Sequence, residues 1–449
     1  MAAAGANRSA RRASALLPLS SRINMSSWFG SSSASSGPNF HPVQLAHDQQ
    51  ALFGPLAKED TEWLCAGGFV TETQTFYATT NTGALVMCQV IHSAVGLWYP
   101  SIQFTFRYVD QANNKHVWKS VAVTNFAAGP PGLDKRSSRA DQFTITCDPN
   151  TGGNKYTIIG KYDDDVSLSL TYEKMAEGFK VGAGPRGGMS YFGAAKPANN
   201  KGGNAPDVNG GADGYAVHRF WPRCKVTGVV RLGQDLVDVD PARGIFVHAI
   251  QGMRPNVLAA SWNFANFQSP ASKEGDGEGV SLIMMEFKTI PLYGSKKVNV
   301  GCIVVGDKLV AVTAGGDGVQ GDKSSAHHLN PIKDAETDYN APSSIKYVWE
   351  GATLDASGKP TGQGDSHAEV VLDLRTSKDG EPYATRGLVE KVDVLGQIPY
   401  LIKKFVNYAA GTKPFIYTWL NPVKASIQTP DKKLDVDGTV FVEATFISE

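Results

Sequence analysis

From Trp63 to the C-terminus, apolar and polar residues alternate with a period of two. SIQFTFRYVD (101–110) puts Ile102, Phe104, Phe106 and Tyr108 on one face and Gln103, Thr105 and Arg107 on the other. VSLSLTYE (166–173) sets Val166, Leu168, Leu170 and Tyr172 against Ser167, Ser169, Thr171 and Glu173, and QFTITCD (142–148) alternates likewise. Such alternation marks antiparallel strands with one buried face. Further runs follow, among them KVTGVVRL (225–232), GIFVHAIQG (244–252), VSLIMMEFKTI (280–290), KVNVGCIVVG (297–306), SIKYVWEG (344–351), PFIYTWLN (414–421) and TVFVEATFIS (439–448). Regular spacing with turn signals between runs predicts an all-β chain of closed or nearly closed barrels.

Two stretches break the alternation. IPYLIKKFVNYAAG (398–411) carries Leu401, Ile402, Phe405, Val406 and Ala409 on one helical face, with Pro399 near its start and Gly411 as cap. It reads as a helix flanking or plugging a barrel. PVQLAHDQQALFGPL (42–56) aligns Leu45, Leu52 and Leu56 on one face, joined by Phe53; Pro42 suits a helix start and Gly54-Pro55 a stop. This short amphipathic element suits a membrane surface or the side of its own domain, or it forms no stable helix at all.

Residues 1–40 are low in complexity, with SSSASSGP (31–38) as a flexible linker. The first 24 residues are rich in Arg and Ser, and the first acidic residue is Asp48. That composition matches a mitochondrial transit peptide, an unstructured tail, or sequence ahead of a second start at Met25. Residues 182–214 are crowded with Gly, Asn and Pro and read as loop. Each side of that loop holds enough strands for one barrel of about eight. The expected organisation is a disordered or amphipathic segment at 1–57, one domain at 58–224 and a second at 225–449.

Composition narrows the chemistry. The 449 residues hold 43 Lys plus Arg and 43 Asp plus Glu. That balance argues against a nucleic-acid binder, which needs a basic surface. No apolar run approaches the roughly 20 residues of a membrane-spanning helix. Cys65, Cys88, Cys147, Cys224 and Cys302 form no CxxC pair and read as buried, reduced thiols. GAGPRG (182–187) fits G-x-G-x-x-G but opens no helix, so it is not a dinucleotide loop. His327-His328 and Asp163-Asp164-Asp165 read as loop and turn, not metal sites. No cofactor, metal or catalytic motif is expected.

Several segments together resemble the fungal survival-factor family of ceramide-binding proteins: QVIHSAVGLWYPSIQFTFRYVD (89–110), HRFWPR (218–223), FVHAIQGMRPNVLAASWNF (246–264), LVEKVDVLGQIPYLIKKFVNYAAGTKPFIYTW (388–419) and VEATFISE (442–449). The resemblance runs from about Lys58 to Glu449. It implies two lipocalin-like, calycin-type antiparallel β-barrels in tandem, akin to the paired barrels of carotenoid hydratases. It implies a monomer that carries ceramide from endoplasmic reticulum to cis-Golgi for complex sphingolipid synthesis and supports survival under oxidative stress. It places the protein in the cytoplasm and peripherally on those membranes, with the nucleus as a further compartment.

The resemblance also implies docking through an N-terminal segment. Trp28 and Phe29 of MSSWFG (25–30), with Leu45, Leu52, Phe53 and Leu56, are the expected membrane contacts. Strand parity suggests the ligand contacts: Trp98, Phe104, Phe106 and Trp262 as apolar lining, with His92, His248 and Glu286 as polar groups inside apolar strands. Glu286 shares a face with Val280, Leu282 and Met284. Two other readings stay open: an enzyme of the hydratase or isomerase type with an acid deep in the barrel, and a stress-response scaffold with filled barrels.

Overall fold

A computed structural model describes residues 38–95, 99–194, 213–270, 279–320, 323–375, 385–397 and 413–448. The helix expected at 398–411 lies outside them. Apart from a two-stranded ribbon, Ile332–Lys333 with Asn340–Ala341, the described strands form two curled antiparallel sheets, two lipocalin-like barrels in tandem.

The first sheet runs in the order Lys115–Ala122, Ser101–Asp110, Leu85–Val95, Phe69–Thr80, Ala242–Gln251, Gly214–Leu232, Val166–Lys174, Lys155–Lys161, Phe143–Cys147. Alternation turns Phe76, Val86, Cys88, Val90, Phe104, Phe106 and Tyr108 inward. Their rings fill the interior: Phe76 lies 4.8 Å from Phe246, 5.2 Å from Tyr172 and 5.3 Å from Tyr156. Tyr162, just past Lys155–Lys161, reaches across to Ser101–Asp110. It stacks on Phe104 at 4.4 Å and donates its hydroxyl to the Thr105 carbonyl at 3.1 Å.

Gly214–Leu232 is a single 19-residue strand. Its register shifts between Trp221 and Cys224, around Pro222, which has no N–H to give the ladder. Ala242–Gln251 pairs with Phe69–Thr80 along its whole length. The first sheet therefore continues through residue 224 to Gln251, and the chain passes to the second sheet within 252–260. The boundary expected at 224/225 falls inside a strand. The Gly-rich stretch that suggested it connects strands of one barrel and does not end it.

The second sheet runs Lys308–Gly316, Lys297–Val305, Val280–Lys288, Ser261–Gln268, Lys433–Phe446, Phe415–Gln428, Pro360–Asp373, Ser344–Leu354, Ser325–Leu329. Trp349, Tyr347, Trp419 and Tyr417 occupy its core. Ser344–Leu354 closes against Lys308–Gly316 where Gly351 allows contact: a Cβ there would stand 2.6 Å from the Val312 carbonyl oxygen.

The barrels meet through the faces turned away from their own interiors. Tyr77, Ile245 and Val247 of the first pack with Phe264, Ile283, Phe287 and Phe441 of the second in one buried cluster. Tyr77 lies 5.4 Å from Phe264 and 5.8 Å from Phe441. Buried Arg107 crosses the junction, donating to Thr418 Oγ1 at 3.2 Å and pairing with Glu390 at 2.8 Å.

Residues 38–57 are ordered, which corrects the expectation of a disordered or amphipathic segment up to residue 57. Phe40–His41 pairs with Met189–Phe192 and Phe53–Pro55 with Phe179–Val181. Only Val43–Leu45 is helical, as one 3-10 turn. Asn39 and Gln44 donate to the Leu292 and Lys297 carbonyls, so the segment clasps both barrels. Free strand edges supply these residues with hydrogen bonds that a short isolated helix would lack. All five cysteines are free thiols; four are buried and Cys65 is partly exposed.

Candidate functional site

A cavity of about 360 Å³ lies between the two sheets, partly open to solvent. One wall is the outer face of the first barrel: Thr73, Thr75, Tyr77 and Gln89, with Val247, Ala249 and His218 beside them. The facing wall is Trp262, Phe264, Met285, Ile416 and Glu443 of the second. Val394 and Pro414 stand at its margin. The size and mostly apolar lining suit a small-molecule site.

Several polar side chains in this cavity, His218 and Glu443 among them, have no hydrogen-bond partner among the described residues. His218 is 6% exposed. Its ring lies edge-on to Trp262 at 6.1 Å and parallel to Phe220 at 6.3 Å. Burial lowers its pKa to about 4, so the imidazole is neutral at pH 7. Glu443 is half-buried. Burial raises its carboxyl above the usual range, and the nearby Arg107 charge only partly opposes this. A neutral imidazole and a carboxyl inclined to keep its proton can donate and accept hydrogen bonds without a counter-charge.

Of the residues expected to touch ligand, Trp262 lines this cavity. Phe104, Phe106, His92 and His248 do not: they face the filled interior of the first barrel. His248 is fully buried, with Nε2 2.8 Å from Glu72 Oε1 and Nδ1 2.8 Å from the Asp60 carbonyl. His92 is buried 6.1 Å from the Phe126 ring, and burial lowers its pKa. Glu286 does face the interior of the second barrel with Val280, Leu282 and Met284. Its carboxyl accepts from Asn263, Asn299 and the Ala326 N–H at 3.2, 2.9 and 3.1 Å, a structural role. Burial still raises its pKa. Trp98 lies outside the described residues.

Among the expected membrane contacts, Leu52 is buried in the core between the barrels, and Phe53 and Leu56 pack on the two clusters. These three are committed inward because their backbone runs along the barrel edge. Leu45 is 53% exposed. Trp28 and Phe29 lie outside the described residues.

His218 and Glu443 escaped the sequence reading, although a signal was there. Glu443 interrupts VFVEATF (440–446) as Glu286 interrupts LIMMEF (282–287). Among the described residues, no cluster of His, Cys, Asp or Glu could hold a metal.

The sequence model of the Svf1 family matches residues 20–448. The chain belongs to the Svf1 family. It is 34% identical over 433 residues to the ceramide-binding protein svf1 of Aspergillus fumigatus, covering 92% of this chain and 95% of that protein. It is 31% identical over 419 residues to the protein of the same name from Schizosaccharomyces pombe, covering 92% and 95%. Among solved structures, CghA superposes with a TM-score of 0.53 at 8% identity, over 92% of this chain and 99% of CghA. That likeness shows that the Svf1 fold is shared with CghA, and the fold alone.

Proposed function

We propose that this Svf1-family chain binds ceramide in the cavity between its barrels. It then carries the lipid, without catalysing a reaction, between endoplasmic reticulum and cis-Golgi membranes for sphingolipid synthesis, and so supports survival under oxidative stress. The observation that carries this reading is the apolar cavity with uncommitted polar groups in its walls. Relatives that match nearly the whole chain are named ceramide-binding proteins. Ceramide has two long chains and a small neutral head. Each methylene buried against Trp262, Phe264 or Met285 contributes roughly 0.8 kcal/mol, so about ten give on the order of 8 kcal/mol before association costs. The remaining chain length leaves by the open side.

Membrane contact falls to residues ahead of Pro38, Trp28 and Phe29 included, and to exposed Leu45. The carrier acts as a monomer in the cytoplasm and at these membrane surfaces, with the nucleus as a further compartment.

The test is lipid extraction and native mass spectrometry of the full chain purified from a fungal host. Near-stoichiometric ceramide is expected, and Trp262→Glu should lose it while its circular dichroism stays unchanged. A chain lacking residues 1–37 should keep ceramide but sediment less with vesicles. A full chain that carries no ceramide and takes none from vesicles would sink the carrier reading.

A further inference from the structure

We infer that His218 and Glu443 form the head-group end of the cavity and select lipids with an uncharged amide-and-hydroxyl head over ester-linked or phosphorylated lipids with the same chains. This inference rests on the cavity being the lipid site. Its evidence is the placement and chemistry of the two groups.

Phe264 stands opposite Glu443 in the strand register, and Trp262 stands opposite Thr445. The His218 ring reaches over from the first barrel to meet Trp262 edge-on. The two polar groups thus approach neighbouring same-face positions of one strand, Trp262 and Phe264. Such positions are roughly 7 Å apart. A compact head with a secondary amide and two hydroxyls can span that distance. The rest of the wall around them is mostly ring and aliphatic surface, with Thr73, Gln251 and Thr445 as further polar partners for a head placed there.

Both groups are uncommitted where most buried polar groups are not. Gln89, on the same wall, donates to Thr75 Oγ1 at 2.7 Å. Arg107, the cation nearest Glu443, is held by Thr418 and Glu390. Among the described residues, no Lys or Arg lines the cavity. A phosphorylated head would enter with its charge unpaired, beside a carboxyl, at a cost of several kcal/mol. A diacylglycerol avoids that cost, but its ester oxygens only accept and it offers a single hydroxyl. With one donor it satisfies at most one of the pair's two acceptors, the bare imidazole nitrogen or the carboxyl C=O oxygen. An N-acyl amino-alcohol supplies N–H, O–H and carbonyl together, so each wall finds a complement. Discrimination follows because a buried polar group left unpaired is the expensive outcome.

The experiment uses the full chain and phosphatidylcholine vesicles doped with either a ceramide or a diacylglycerol of matched chain length. Uptake of each lipid is measured for wild type, Glu443→Leu, Glu443→Gln and His218→Phe. The Gln variant keeps a donor and an acceptor; the Phe variant keeps the ring. Wild type should prefer ceramide. Glu443→Leu and His218→Phe should each lower ceramide affinity about tenfold, one lost buried hydrogen bond, and leave diacylglycerol nearly unchanged. Glu443→Gln should stay close to wild type. Variants that keep the wild-type preference, or lose both lipids equally while folded, would overturn the assignment and leave the carrier reading standing. A wild type that takes up neither lipid would overturn both.

Discussion

Two buried carboxylates end with opposite net shifts. Burial pushes the Glu72 carboxyl up, but the His248 hydrogen bond and charge, with the N–H groups of Leu64 and Cys65, bring it below the usual range. Glu286 also has donors around it, yet burial wins and its carboxyl holds its proton more tightly than usual. The consequences for stability differ in sign. The Glu72 contribution is full above the ordinary carboxylate range and is lost as pH falls through its depressed folded value. The Glu286 contribution is full at acid pH and is lost as pH rises through its elevated folded value. Denaturant titrations between about pH 2 and 8 should show Glu72→Gln flattening the acid-side loss and Glu286→Gln flattening the decline toward neutrality. At neutral pH, Glu72→Gln should cost about 3–5 kcal/mol, as for a broken buried pair. Unchanged slopes in both variants would refute the opposition. Glu286 and His248 were visible in the sequence as interruptions of apolar strands, whereas Glu72, in VTETQTF (70–76), was not. Nor were the pairings visible, because Glu72 meets His248 across 176 positions of chain.

At the scale of elements, parity was legible and its meaning was not. Phe104 and Phe106 do share a face, and that face is packed with rings. The opposite face of this barrel is polar, and Thr73, Thr75 and Gln89 on it line the cavity. A strand pattern separates two faces without saying that an outer face will be covered by a second barrel. The same reason explains residues 42–56. Their leucine spacing fits a helix, but the edges at Phe179–Val181 and Met189–Phe192 offer backbone partners that no local pattern reveals. Phe40 is the anchor of this segment, 4.7 Å from Phe192 and 6.5 Å from Phe287. Phe40→Ala should destabilise the fold by about 3–5 kcal/mol, the usual cost of removing a buried phenyl ring. Thermal melts would show it, and a midpoint equal to wild type would mean that the clasp is ornamental.

For the molecule as a whole, tandem barrels were legible and their mutual dependence was not. One hydrophobic cluster contains Tyr77, Ile245 and Val247 from the first barrel with Phe264, Phe287 and Phe441 from the second. Separated, each barrel would expose a continuous apolar face of the kind that drives association. Calorimetry should therefore show one cooperative transition for the two barrels, with calorimetric and van't Hoff enthalpies in agreement. Two resolved transitions would refute a shared core.

The cysteines carry a practical consequence. Burial alone raises the thiols of Cys88 and Cys302, and it is the leading cause for Cys224. It lifts Cys147 to about 11, and burial with the Glu72 charge lifts Cys65 to about 12. Thiolate, not thiol, reacts with alkylating and oxidising agents. The native chain is thus nearly silent toward maleimides at neutral pH. A single cysteine introduced at the cavity margin would take a fluorophore against a dark background, and the arrival and departure of a lipid could be followed in real time on an otherwise unaltered protein.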